Sequence, residues 1–163
     1  MSDQLPKKAK KGNAYVQKIL NSFDENEHFA VLATQGADIP YTSLVAYAMA
    51  PDLKRLIFST TRKTRKYKNI LSSRHVSLLI DNRSSGNKAL METEAITILG
   101  LARPLRKGTS REECAKIFLA KHPNFDKFIK APTTTLISVE ISCCIHVGKF
   151  QVVSVWEPAL NGS

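Results

Sequence analysis

Apolar positions along this chain follow two spacings, one typical of a helix and one typical of strands. Between Ala14 and Phe23 they recur every three or four residues, which predicts an amphipathic helix. After Glu27 the spacing changes to alternation and short apolar runs, separated by turns that contain Gly36 and Pro51. The strands predicted from this part are 28–34, 40–49 and 53–59. Because tight turns join them, we expect an antiparallel meander.

The second half of the chain continues the strand pattern and adds helices. Strands are predicted over 75–81 and 92–105, with a polar loop over 82–88 and a bulge or bend at Gly100. The spacing from Thr109 to Glu112 is that of a capping box, so a helix should begin there and end near Pro123. A further helical turn is predicted over 124–130, and two final strands over 134–142 and 144–156, the second with a bulge or a close contact at Gly148.

Six or seven strands with few helices indicate a mainly β fold. We predict a small antiparallel barrel with flanking helices, because closure removes the exposed edges of a sheet. A β-sandwich would have the same strand spacing. A length of 163 residues with 43% hydrophobic residues fits a single domain, which we predict over 13–158 after a disordered basic tail over 1–12.

Composition restricts the kinds of partner that we expect. The longest apolar stretches are shorter than the roughly 20 residues that cross a bilayer, and the first residues lack an apolar signal core, so we expect a cytoplasmic protein without membrane contact. The formal net charge of +10 favours anionic partners. The three cysteines and four histidines have no disulfide or metal-ligand spacing, and no metal site is expected.

Hydroxyl and cationic side chains are concentrated between two predicted strands. The segment 60–70 reads Thr-Thr-Arg-Lys-Thr-Arg-Lys-Tyr-Lys-Asn-Ile. Thr64 and Arg65 should form the first turn of a helix whose other side is buried by Ile70 and Leu71. Arginine, lysine, hydroxyls and helix N–H groups are the groups that bind a phosphate ester. A solvated basic face is the alternative interpretation.

The order of these segments resembles the FMN-binding split barrel of the pyridoxamine 5'-phosphate oxidase-like superfamily. The resemblance is carried by 40–48, 57–60, the Thr64-Arg65-Lys66 triplet and 76–79. It implies a six-stranded antiparallel Greek-key split β-barrel. It further implies a homodimer, with FMN bound at the interface between the subunits.

The resemblance also implies which residues contact the cofactor. Arg65 and Lys66 stand where the family has its phosphate-binding basic pair, and one extra residue before Arg65 makes Arg62 and Lys63 alternatives. For Leu44, Val45 and Ala46 a place in the barrel core is the alternative; catalytic residues are not assigned. The full set of predicted cofactor-binding residues is Ser43, Leu44, Val45, Ala46, Tyr47, Phe58, Ser59, Thr60, Thr61, Thr64, Arg65 and Lys66.

Two departures from the family pattern limit the activity that we expect. Ala95 stands where the oxidases have a flavin-contacting glutamine, and the substrate-binding Arg/His pair near the C-terminus is not found. Vitamin B6 oxidase activity is therefore not expected. Segments 43–48, 98–105 and 120–123 look closer to the haem-utilisation branch. The C-terminal histidine that ligates haem in that branch is not found here, so haem degradation is not expected unless His122 or His146 takes its role.

The hypothesis that follows is an FMN-binding flavoprotein, and more specifically a flavin-dependent oxidoreductase with an unknown small-molecule substrate. The alternative is a non-catalytic carrier or sensor that binds flavin or haem in the same pocket. A third class, nucleic-acid binding, is disfavoured because the aromatic residues are scattered and form no stacking row. No specific nucleic-acid partner is expected.

Overall fold

The computed structural model describes residues 12–83, 92–148 and 152–159. The order of helices and strands is close to the predicted one. In chain order the elements are α1 (Asn13–Asn26), β1 (Phe29–Gly36), β2 (Ile39–Met49), β3 (Arg55–Thr61), α2 (Arg65–Ser72), β4 (His75–Asp81), β5 (Ala95–Pro104), α3 (Thr109–Lys121), a 3₁₀ turn (Pro123–Phe125), α4 (Asp126–Lys130), β6 (Thr134–Val147) and β7 (Val153–Trp156).

Six of these strands close into an antiparallel barrel. The hydrogen-bonded order is β3-β2-β1-β4-β5-β6, and a further pairing of β6 with β3 completes the circle. The long strand β6 closes the circle because it pairs with β5 on one side and, through its first half, with β3 on the other. Its last residues pair in addition with β7, which lies outside the circle. The predicted barrel is thereby confirmed, and the sandwich alternative is wrong because one sheet closes on itself.

The prediction of two separate final strands is wrong. Residues 134–147 form one continuous strand, and the later residues contribute only the short β7. The predicted irregularity at Gly100 is confirmed, since Leu99 pairs with Cys143 while Gly100 pairs with Ile141, which leaves Ser142 as an extra residue in β6. The Ser142 hydroxyl donates to the Leu99 carbonyl oxygen at 3.0 Å. The bulge therefore lets the strand continue where we predicted a break.

Other local predictions also require correction. Thr109 is the first residue of α3 and Gly108 is its cap, without a side-chain capping bond, so the predicted capping box is wrong. Gly108 has a φ of 139°, a conformation that favours glycine over residues with a side chain. Gly148 follows β6 and donates to the carbonyl oxygen of Val152, so it does not form a bulge within a strand. The alternative of a close contact fits, since a Cβ at this position would lie 3.0 Å from His146 Cε1.

Some predictions fall on residues that the structure does not describe. The predicted tail lies almost wholly in residues 1–11, and most of the predicted polar loop lies in residues 84–91. Disorder of the tail and a single domain over 13–158 stay predictions.

Two apolar clusters hold the fold together. The barrel interior contains the main cluster, which receives Val16, Leu20 and Phe23 from the predicted face of α1 and Ile70 from α2. A second cluster lies outside the barrel, where Cys114 and other residues of α3 and α4 pack against β2, β3 and β6. All three cysteines are free and buried. No helix in the described ranges is long and apolar enough to span a bilayer.

Candidate functional site

Strands β2 and β3 separate near the middle of β2. Residues 39–46 of β2 pair with β1 along their whole length, but β2 pairs with β3 only through residues 47–49 and 56–58. Beyond that point β3 continues along β6, with residues 59–61 opposite 134–136. We call this opening the split; residues 43–46 border it on β2 and residues 59–61 on β3. Both bordering segments belong to the predicted cofactor-binding set.

The main chain of β2 presents polar groups to the split. The Tyr47 N–H donates to the His28 carbonyl oxygen on the β1 side at 3.3 Å. Because the N–H and C=O groups of successive strand residues point to alternate edges, those of Leu44 and Ala46 point to the β3 side, where β3 has already turned away. Unpaired strand edges of this kind bind planar groups that carry hydrogen-bond donors and acceptors.

Three of the predicted cofactor-binding residues direct their side chains into the barrel. Val45, Tyr47 and Phe58 are buried in the main cluster. The Tyr47 hydroxyl donates to the Phe23 carbonyl oxygen at 3.0 Å, and burial raises the pKa of this phenol far above its usual range. The main-chain groups of Val45 and Tyr47 face β1, so these residues contribute to the split only by holding the surrounding strands in place.

The remaining strand residues lie closer to the opening. Leu44 is 63% exposed on the outer surface of β2, and Ala46 is half-buried next to α3. The Ser43 hydroxyl is buried and has no hydrogen-bond partner within the described part of the chain. Ser59 and Thr61 are half-buried on β3. Hydroxyl, small and apolar groups thus border the same opening.

Threonine hydroxyls fix the start of α2 at the end of β3. The prediction that Thr64 begins this helix is confirmed, since it is the N-terminal cap and accepts from the Tyr67 N–H at 3.3 Å. Its hydroxyl also donates to the Thr61 carbonyl oxygen at 3.0 Å and lies 2.9 Å from the hydroxyl of buried Thr60. Thr60 and Thr64 therefore define the turn, and the first N–H groups of α2 open beside the split.

The cations of this turn point in opposite directions. The Arg65 guanidinium lies 4.9 Å from the centre of the Tyr41 ring on β2. The Arg62 Nε donates to the Thr135 hydroxyl on β6 at 3.4 Å, and Lys63 is exposed. Lys66 is half-buried. No carboxylate within the described ranges pairs with any of these four cations. Positive charge is thus concentrated at a helix N-terminus, which itself favours anions.

An apolar surface lies next to the split on the outside of the barrel. Phe29 is 56% and Leu79 is 39% exposed. Val31 pairs with Leu44 of β2 on one side and with Leu79 of β4 on the other, and Phe29 lies two residues before Val31 on the same face of β1. We call these four residues the outer patch. Clustered exposed apolar side chains mark an interaction surface. Sequence reasoning missed this surface, because alternation shows that a strand has two faces but not which face a second element covers.

The two histidines considered as substitutes for a haem ligand lie in the interior. His122 is 8% exposed, and its Nε2 lies 2.7 Å from the Tyr47 carbonyl oxygen. Burial lowers the pKa of this imidazole, so the neutral ring donates to the carbonyl. His146 is 1% exposed, with its Nε2 3.4 Å from Glu94 Oε1. Neither ring reaches the outer patch or the split.

The family comparison agrees with this geometry. The sequence profile of the pyridoxamine 5'-phosphate oxidase family matches residues 16–146, which include β1 to β5 and nearly all of β6. The chain belongs to this family. No curated protein gives a significant sequence match. The resemblance stated from the segment order is thereby confirmed.

Solved structures show the same fold at low sequence identity. A haem-binding protein from Mycobacterium smegmatis superposes with a TM-score of 0.77 at 13% identity, over 92% of this chain and 60% of that one. The haem storage protein HutZ from Vibrio cholerae gives 0.62 at 15% identity, over 77% of this chain and 89% of its own. An FAD-binding protein from Mesorhizobium loti gives 0.63 at 12% identity, over 80% and 91%. At these identities the likeness shows the fold alone.

Proposed function

We propose that the protein binds FMN in the split and acts as a flavin-dependent oxidoreductase. The observation that carries the proposal is the separation of β2 from β3 directly beside the cationic N-terminus of α2. It combines an unpaired strand edge for a planar heterocycle with a positive helix start for a phosphate. Membership of this family and the fold likeness to an FAD-binding protein support a flavin as the ligand.

Each part of FMN has a matching group in this region. Arg65, Lys66 and the first N–H groups of α2 would bind the phosphate, because they are positive and lack carboxylate partners within the described residues. The main chain of Leu44 and Ala46 would bind the polar edge of the ring. Ser59 and Thr61 would bind the ribityl chain, and the partnerless Ser43 hydroxyl is a further donor.

The bound flavin would supply the electron chemistry, and the residues of this chain would bind and orient it. The buried side chains of Val45, Tyr47 and Phe58 keep both bordering strands rigid, so that the polar groups need little reorganisation when the cofactor binds. The threonine pair at the start of α2 does the same for the phosphate site. We assign no residue as a catalytic acid or base, because hydride transfer requires mainly that the substrate is oriented against the flavin.

A second subunit completes this proposal. The outer patch borders the split and exposes large apolar side chains on three neighbouring strands. We propose that a second copy of the chain covers it, which would enclose the flavin between subunits.

Leu44→Lys should shift the protein from dimer to monomer in sedimentation velocity, whereas Leu71→Lys, at another exposed leucine outside the patch, should leave the dimer intact. An unchanged dimer for Leu44→Lys would contradict the location of the interface.

A haem carrier is the second candidate function. The exposed imidazole of His28 lies on a cavity of about 310 Å³ that Phe29 and Leu44 also line, and a surface histidine beside apolar side chains is suited to haem. Two proteins of the same fold are described as haem-binding and haem storage proteins. The absorbance spectrum of the protein after addition of FMN or haemin separates the two candidates.

The decisive experiment compares FMN with riboflavin, which lacks the phosphate. Arg65→Ala/Lys66→Ala should weaken FMN by about 100-fold or more, since each charge-assisted hydrogen bond contributes roughly tenfold or more, and should change riboflavin affinity little. The matched control is Lys18→Ala/Lys116→Ala, which removes the same charge from exposed positions on α1 and α3. Equal losses for both ligands would contradict the phosphate site.

A further inference from the structure

A second cationic site lies on the other side of the β3–α2 turn. A cavity of about 860 Å³ opens between α2, the end of β5, the end of α4 and the start of β6. No acidic side chain lines it among the described residues. The cations that line it are Arg62, Arg106, Lys107, Arg111 and Lys130. Like charges repel one another at this density, so the arrangement favours a ligand with several negative charges.

Three of the five cations already have a partner. Arg111 donates through Nη2 to the Ile129 carbonyl oxygen at 3.0 Å, and Arg62 donates to the Thr135 hydroxyl. Lys130 pairs with exposed Asp126 at 2.9 Å. Arg106 and Lys107 follow β5 and have neither an ion pair nor a side-chain hydrogen bond within the described part of the chain. These last two are available to a ligand without the loss of an existing contact.

A buried hydroxyl in the same cavity wall lacks a partner. Thr134 is 3% exposed, and its Oγ1 has no hydrogen-bond partner among the described residues. Leaving a buried hydroxyl unsatisfied costs roughly 1–3 kcal/mol. Its neighbour Thr135 accepts from Arg62 and, as the next residue of the strand, points to the other face of β6. A phosphate oxygen at this end of the cavity would satisfy the Thr134 hydroxyl.

The cavity also has an apolar part. Tyr67 and Leu71 of α2 and Pro104 at the end of β5 line it, and Leu71 is 61% exposed. A ring such as that of Tyr67 offers a face on which a planar base can stack. The cavity thus combines a polyanion site with a surface for a flat apolar group.

We propose that this cavity binds a nucleoside diphosphate or triphosphate, with the phosphates between Arg106, Lys107 and Arg111 and the nucleoside against Tyr67. The site differs from the proposed flavin site, because Arg62 turns towards β6 whereas Arg65 lies over Tyr41 of β2. The inference does not depend on the binding of FMN.

Isothermal titration of the full-length protein with ADP, pyrophosphate and adenosine tests the proposal. ADP should bind measurably, and adenosine at least about tenfold more weakly, because the charge-assisted contacts supply most of the affinity. Pyrophosphate, which has the same two phosphates as ADP, should bind more weakly than ADP, and an affinity equal to that of ADP would overturn the nucleoside part. Saturating FMN should leave ADP binding unchanged; displacement of ADP by FMN would show that the two sites are one and would overturn the proposal.

Variants locate the binding in the cavity. Arg106→Gln/Lys107→Gln should weaken ADP by about 10- to 100-fold, from the loss of up to two charge-assisted contacts. The control Lys18→Gln/Lys116→Gln loses the same charge outside the cavity and should change ADP affinity less than about threefold, because exposed charges at a distance are screened by salt. Equal losses in both variants would show diffuse attraction to a basic protein and would refute the site. Both pairs are exposed, so thermal unfolding should confirm intact folds.

Discussion

The threonine cap of α2 is the most direct link between the fold and the proposed phosphate site. Thr64→Val keeps the shape of the side chain and removes its hydroxyl. The variant loses the bond from the Tyr67 N–H, the bond to the Thr61 carbonyl oxygen and the contact with the Thr60 hydroxyl. Because Ile70 anchors α2 in the main cluster, we expect loosening of the helix start to lower the stability of the whole barrel.

The magnitude follows from these contacts. Loss of an N-terminal cap costs roughly 1 kcal/mol, and each further partly buried hydrogen bond contributes about 0.5–1.5 kcal/mol. We therefore expect the free energy of unfolding to fall by about 2–4 kcal/mol, a large part of the 5–15 kcal/mol typical of a domain. In urea this is a shift of the midpoint by roughly 1 M or more.

The assay is urea unfolding followed by far-UV circular dichroism, together with FMN titration. Thr64→Ser keeps the hydroxyl and should stay within about 1 kcal/mol of the original protein. Thr64→Val should also weaken FMN more than riboflavin, since the N–H groups that face the phosphate lose their fixed position. A Thr64→Val protein with unchanged urea midpoint and unchanged FMN affinity would refute the assignment of Thr64 as the residue that organises this turn.

Two further predictions concern the barrel. Gly100→Ala should destabilise the protein by about 1–3 kcal/mol or more in urea unfolding, because an added Cβ would collide with the Glu140 carbonyl oxygen at the bulge. The control is Gly12→Ala, where an added Cβ has no neighbour within 4 Å. Equal stability of both variants would contradict the close packing at Gly100. Burial lowers the pKa of His122 from 6.5, so the unfolded state binds more protons, and the free energy of unfolding should fall as the pH drops below 6.5. His122→Gln retains a donor for the Tyr47 carbonyl oxygen and should reduce this pH dependence in unfolding measured from pH 7 to lower pH. An unchanged pH dependence would show that other groups cause it.

Local sequence signals predicted most of the elements because each signal acts over a few residues. The spacing of Val16, Leu20 and Phe23 determines the buried face of α1, and Thr64 determines where α2 begins. The capping-box prediction at Thr109 was wrong because the residue before it, and not its own side chain, sets where the helix begins. Gly108, with its positive φ, precedes the helix, so the chain enters α3 one residue earlier than the side-chain pattern implied.

Predictions about β6 failed because the strand is defined by its partners. The bulge opposite Gly100 takes up Ser142, so the residues of β6 that face the main cluster change from Ile141 before it to Cys144 after it. A rule of strict alternation has no means of predicting this change of phase. Pairing with β3, β5 and β7 along one strand supplies the hydrogen bonds that make this length stable.

Residue types and short-range order were enough to predict the family, the mainly β composition and the cationic turn at the end of β3. The side of each strand that borders the site became visible only in the folded chain. Val45 and Tyr47 face the barrel interior while Leu44 faces out, and Arg62 and Arg65 point to different strands. The physical reason is that the split, the outer patch and the second cationic cavity each arise between strands and helices far apart in the chain, where barrel closure fixes the distances that no local pattern contains.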